Sequence, residues 1–130
     1  MTRNEWLELT VLERKKDYCL LEVEDVTRQL AEALDRNDQV AARILITMRQ
    51  DPLLQLEEAD RGEKARKAAL SEEDQERIRV LLRDGEARYD GEGVFLEQAG
   101  KTHHLLERVV ELDRRVSVRM AGDNSFYRKK

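Results

Sequence analysis

Residues 33–52 read "ALDRNDQVAARILITMRQDP", and the polar knot Asp35-Arg36-Asn37-Asp38 inside them separates two apolar patterns of helical period. Asn tolerates the left-handed backbone that stops a helix. Asp at the next position is a good N-cap for a following one. So short a connection joins only antiparallel neighbours. The stretch therefore encodes a helical hairpin turn.

Upstream, Thr2-Arg3-Asn4-Glu5 has the form of a capping box, with Met1 and Trp6 at the two positions of a hydrophobic staple. Leu9, Leu12, Lys16, Cys19, Val23, Val26, Leu30 and Ala33 then follow in steps of three and four, a coiled-coil spacing with one defect at Lys16. The pattern predicts a first helix from about 3 to about 35, roughly 50 Å long at 1.5 Å per residue. Downstream, Val40, Ala41, Ile44, Leu45 and Met48 make a second apolar face that meets Pro52. Either Asp51 caps a new segment with Pro52 at its first position, or the proline kinks one long helix. Leu53, Leu54 and Leu56 resume the pattern at once, which favours the kink. The polar stretch "DRGEKARKAAL" that follows is expected to be an exposed, fraying end.

Ser71-Glu72-Glu73-Asp74 is the next N-cap signal. A third helical pattern runs from about 72 to about 120, with Gly85, Gly91, Gly93 and Gly100 in its first two thirds. Each glycine costs about 1 kcal/mol relative to Ala in a helix interior, so "YDGEGV" is the expected soft point. From Lys101 to Met120 no glycine interrupts, and Gly122 is placed to end the helix. The reading is an all-α chain: an antiparallel three-helix bundle or elongated coiled coil whose third helix is longest and can break near 90–93. Residues 1–122 form one domain, and 123–130 form a polar tail.

Composition agrees. Of the 130 residues, 40% are charged and 5% aromatic, a balance that suits long helices and disfavours a β-sandwich. No apolar run approaches the ~20 residues of a membrane span, and nothing resembles a signal peptide. Cys19 is the single cysteine, so no intrachain disulfide forms and a reducing, cytoplasmic setting is expected. The net charge of −4 argues against nucleic-acid binding.

Little points to catalysis. His103 and His104 are neighbours and diverge on a helix, so they do not chelate one metal together. His103 and Glu107 are one turn apart, but the Glu-x-x-His pattern of carboxylate di-metal bundles is absent. Cys19 lies on the apolar stripe as an inert thiol. The glycines at 85–93 form no phosphate-binding motif. The carboxylates all read as solvated helix faces. We expect no enzyme, no cofactor and no metal. Two features suggest binding instead. One is the wide stripe Leu105, Leu106, Val109, Val110, Leu112, Val116 and Met120, either bundle core or the wall of a groove for a partner's amphipathic helix. The other is the aromatic pair Phe126-Tyr127 in the tail, either a plain chain end or a docking anchor.

The hairpin resembles that of flagellar export chaperones of the FlgN and FliT type. Ala33-Leu34, Asp38, Ala41-Ala42, Leu45-Ile46 and Arg49 fall at the family's offsets, and Leu53-Leu54 continue them. "VVELDRRVSVRMAGDNSFYRKK" is similar to the family's last helix and tyrosine-containing end. The resemblance implies a cytoplasmic, non-catalytic chaperone. It would hold the amphipathic C-terminal helix of a hook–filament junction or filament-cap protein, with the 105–120 stripe facing that client and Tyr127 meeting the export gate. The rival reading is a structural coiled-coil adapter that homo-oligomerises through the same stripes, so a homodimer is allowed.

Overall fold

The computed structural model describes residues 1–122, and these are helical apart from short connections: α1 (Arg3–Asp35), α2 (Gln39–Met48), α3 (Gln50–Ala68), α4 (Glu72–Asp84) and α5 (Glu92–Gly122). Phe126 and Tyr127 lie outside the described residues.

The local signals act as the side chains dictate. Thr2 Oγ1 accepts from the Glu5 amide at 3.1 Å while Glu5 Oε1 accepts from the Thr2 amide at 2.9 Å, closing the capping box. At the other end of α1, Asn37 takes φ +56°. The Asp38 amide then reaches the Ala33 carbonyl and the Asn37 amide that of Leu34, a Schellman closure. Asp38 Oδ1 accepts from the Ala41 amide at 3.0 Å and starts α2. Arg49, the one residue between α2 and α3, keeps helical dihedrals of φ −69° and ψ −21°. Pro52, buried, offers no N–H to the carbonyl four residues back, and α2–α3 is one helix bent at that point.

The third pattern divides. Gly85 adopts φ +70° and ends α4, Gly91 adopts φ +91°, and α5 begins at Glu92. The break thus spans 85–91, centred earlier than the glycines at 91 and 93 suggested, because the left-handed residue that stops α4 is Gly85. Ile78 and Leu81 consequently belong to a short helix of their own, not to the rod that carries Leu105.

α1 is the axis, and α2, α3 and α5 each pack along it. The α2–α3 leg returns antiparallel to α1, with Arg66 bound to Glu8 near the start of α1. α5 runs parallel to α1: Phe95 meets Trp6 at 5.2 Å between ring centroids, Arg108 pairs with Glu24, and Arg119 pairs with Asp35. Three apolar clusters stack along this up-down-up bundle. Trp6, Leu9, Ile78, Leu81 and Phe95 form the base, where α4 closes the end. Leu20, Val23, Leu105 and Val109 form the middle, with Leu53 and Leu56 against them. Leu30, Ala33, Leu34, Ala42, Leu45 and Val116 form the layer beside the hairpin turn.

Candidate functional site

The face that α5 turns to α1 is Phe95, Gln98, Thr102, Leu105, Val109 and Val116, all buried. This settles where the predicted stripe stands. Leu105, Val109 and Val116 are 4%, 6% and 3% exposed and already packed by the chain itself, so they are core and not partner-facing. A partner cannot reach them without opening the bundle. Leu112 and Met120 are half-buried. Leu106 and Val110, one position further round the helix at each step, are 42% and 56% exposed. That side of α5 looks toward the α2–α3 leg, as the Arg49–Asp113 ion pair shows.

Here α3 and α5 lie against α1 without closing on each other, and a furrow remains between them. Lys16 and Leu20 form its floor, Leu56 and Asp60 stand on the α3 side, and Thr102 and Leu106 on the α5 side, around a space of about 280 Å³. Toward the base the furrow continues past Glu13, Ala99 and His103 to Leu96 and Leu82. The lining is mostly apolar and open to water, the kind of surface that accepts an apolar side chain.

The floor holds charges that sequence reading passed over. Lys16 Nζ lies 3.5 Å from Glu13 Oε1, 3.1 Å from Glu63 Oε2 and 3.7 Å from Asp60 Oδ1. Lys67 Nζ lies 2.8 Å from Glu63 Oε1. Glu13 and Glu63 are both buried, so the stretch that follows Ala59 is no fraying end: it stays regular helix to Ala68, tied down by ion pairs. Burial, the hydrogen bond with Glu63 and the negative charge of Glu63 together push the Glu13 carboxyl up to about 7. Burial works on Glu63 in the same direction, but its hydrogen bonds from Glu13 and Lys67 outweigh burial and hold its carboxyl below the ordinary value. For Lys16, burial opposes the charge, and the neighbouring Glu13 and Glu63 overcome it and raise its pKa. The two glutamates thus behave as a pair sharing one proton. The signal that could have found them was Lys16: a cation on an apolar stripe requires a buried counter-charge.

A second polar centre fixes the α4–α5 connection. Glu92, fully enclosed, receives Arg77 Nε at 2.7 Å and Nη2 at 2.6 Å, and the amides of Arg88 and Tyr89 at 2.9 and 3.1 Å. Arg77 first, then those two amides, hold its carboxyl down to about 2 against the opposing effect of burial. Arg77 and Glu92 stand at the edge of an open groove of about 710 Å³ that Met1, Trp6 and Tyr89 also line, but both Glu92 oxygens are engaged by Arg77 and the amides, and the geometry is that of a brace.

Other sequence candidates stand as follows. His103 Nε2 lies 3.0 Å from Glu107 Oε1 on the surface, and His104 Nδ1 lies 3.9 Å from the same oxygen. Among the described residues, no group of three or more His, Cys, Asp or Glu side chains is placed to hold a metal ion. Cys19 is half-buried in a separate groove between α1 and α3, lined also by Leu12, Tyr18 and Ala59. Burial, aided by Glu22, raises its thiol pKa and disfavours the reactive thiolate. No described helix is long and apolar enough to cross a membrane. No family model, curated protein or solved structure matches this chain.

Proposed function

We propose that this chain is a binding protein that takes an amphipathic helix of another protein into the furrow between α3 and α5. The observation that carries the reading is the furrow itself, apolar along its walls, with Leu106 and Val110 exposed beside it. Each leucine-sized side chain a partner buries there contributes ~1.5–3 kcal/mol. Glu57 and Asp60 on the α3 side favour a helix whose apolar stripe is bordered there by Lys or Arg. The hairpin resemblance supplies the partner class: the C-terminal helix of a flagellar hook–filament junction or filament-cap protein, held against early assembly until export. The proposed gate contact of Tyr127 lies outside the described residues.

Titration with a synthetic C-terminal peptide of a hook-associated protein tests this. Binding is expected to raise the thermal midpoint of the chain. The double substitution of Leu106 and Val110 by Asp is expected to abolish that shift while circular dichroism stays helical. A peptide that leaves the midpoint unchanged, or binds the double variant equally well, refutes the furrow as its site.

A second reading rests on a different surface. Val40, Ile44 and Met48 form an exposed row on the outer face of α2, at 71%, 56% and 50% exposure. Spaced by four, they are a stripe that a second copy could cover, as in a homo-oligomeric adapter. Sedimentation of the pure protein separates the two readings: a dimer that Ile44→Glu dissociates supports the adapter, and a monomer removes it.

A further inference from the structure

We infer that α2 pairs with α2 of a second copy of this chain, antiparallel and with Ile44 on the two-fold axis, so that Arg36 of each copy meets Asp51 of the other. The inference rests on the second of the two readings above and gives that contact its direction and register.

It starts from the row itself. Ala42 and Leu45 turn the inner side of α2 into the layer beside the hairpin turn, which leaves Val40, Ile44 and Met48 outside. Three large apolar side chains in line on one short helix make a patch that calls for a cover. The equal four-residue steps add a property that most exposed patches lack. Turned end for end about its middle residue, the row falls on itself: Val40 of one copy lies over Met48 of the other, and Ile44 meets Ile44.

The charges decide the direction. Arg36 stands exposed in the turn ahead of Val40, and its guanidinium has no acceptor among the described residues. Asp51, exposed and seven positions after Ile44, lies on the line of the row, and its carboxylate receives only the Gln55 side-chain amide at 2.9 Å. A parallel pair sets Arg36 beside Arg36 and Asp51 beside Asp51, a like-charge contact at each end of the apolar strip. An antiparallel pair brings Arg36 nearly level with Asp51 at both ends, so the same two groups close the strip twice. Arg43 lies about 100° round the helix from Ile44, outside the contact. Asp38 is turned to the Ala41 amide of its own helix.

The contact leaves the furrow free. Met48, Gln55 and Gly62 follow in steps of seven along one side of the bent α2–α3 helix, and Gln55 and Gly62 line the groove that α5 does not reach. The furrow lies on the other side, past Leu56 and Asp60. Such a pair presents two open furrows.

Single cysteines in a Cys19→Ser background test the register. Under mild oxidation Ile44→Cys is expected to cross-link to itself. Val40→Cys alone is not, because the antiparallel register holds its two copies roughly 12 Å apart along the axis. A mixture of Val40→Cys and Met48→Cys chains is expected to cross-link. In sedimentation, Arg36→Glu and Asp51→Arg are each expected to weaken the dimer at least about threefold, and the two together to restore it. The substituted positions around α2 are all exposed, so each variant keeps its core. A chain that stays monomeric at high concentration, or a dimer that Ile44→Glu leaves intact, overturns this inference and the second reading together. A dimer that Ile44→Glu dissociates keeps that reading. If its Val40→Cys chains then cross-link among themselves, its Ile44→Cys chains do not, or the paired charge variants show no rescue, the antiparallel register is overturned.

Discussion

Two glycines with the same composition value have opposite roles. Gly91 sits at φ +91°, and a Cβ there would lie 2.9 Å from Trp6 Cβ and 3.3 Å from the Arg3 carbonyl oxygen. The position combines a left-handed backbone with contact against the buried Trp6 ring. Gly91→Ala is therefore expected to cost at least ~2 kcal/mol in urea unfolding. Gly62 is helical with nothing within 4 Å of a built Cβ. Gly62→Ala is expected to stabilise by about 0.5–1 kcal/mol in the same measurement. At this scale the sequence was informative where the physics is local: Thr2, Asn37, Asp38 and Ser71 each act on amides or carbonyls within a few residues. Lys16 was visible as a defect but its partners were not, since Asp60 and Glu63 approach it only after the hairpin closes.

Among the elements, α5 shows what periodicity resolves and what it leaves open. A stripe broad enough to include both Leu105 and Leu106 states that a helix has an apolar side, but not which edge of that side its neighbours cover. The answer depends on the angle at which α3 and α5 straddle α1. Leu105→Ala is expected to cost about 2–5 kcal/mol by leaving a cavity between Leu20 and Val109. Leu106→Ala is expected to change stability by no more than roughly 0.5 kcal/mol, so the pair separates core from surface in one denaturation experiment. The break between α4 and α5 was legible as glycines, whereas its brace was not: Glu92 looks like any helix-surface acid until Arg77 is brought to it. Glu92→Ala is expected to cost about 2–3 kcal/mol, less than for a fully enclosed pair because Arg77 keeps some contact with solvent. Proteolysis in 85–91 should become faster in that variant.

For the whole molecule, the two buried acid centres give stability a definite pH profile. Glu92 is held at about 2, below its unfolded value, so its contribution is present above the unfolded value of about 4.5 and is lost as pH falls toward 2. Glu13 is raised to about 7, so its contribution is complete below about 4.5 and is lost as pH rises through 7. The two slopes oppose each other, and the urea midpoint is expected to peak near pH 5 and to be lower at both pH 2.5 and pH 8. A plateau through pH 8 would show that Glu13 is not proton-bound in the folded chain. The all-α class and the hairpin were legible because they rest on neighbours in the sequence, and an antiparallel three-helix bundle already sets the last helix parallel to the first; which residues of α1 and α5 pair was not legible, because the pairing joins positions as far apart as Glu13 and Thr102, 89 residues. That pairing also bears on synthesis. Of the five helices the earliest made is sheathed last, since Trp6 has no ring to lie against until Phe95 has emerged, and while α2 to α4 are being synthesised the start of α1 is an unguarded greasy surface.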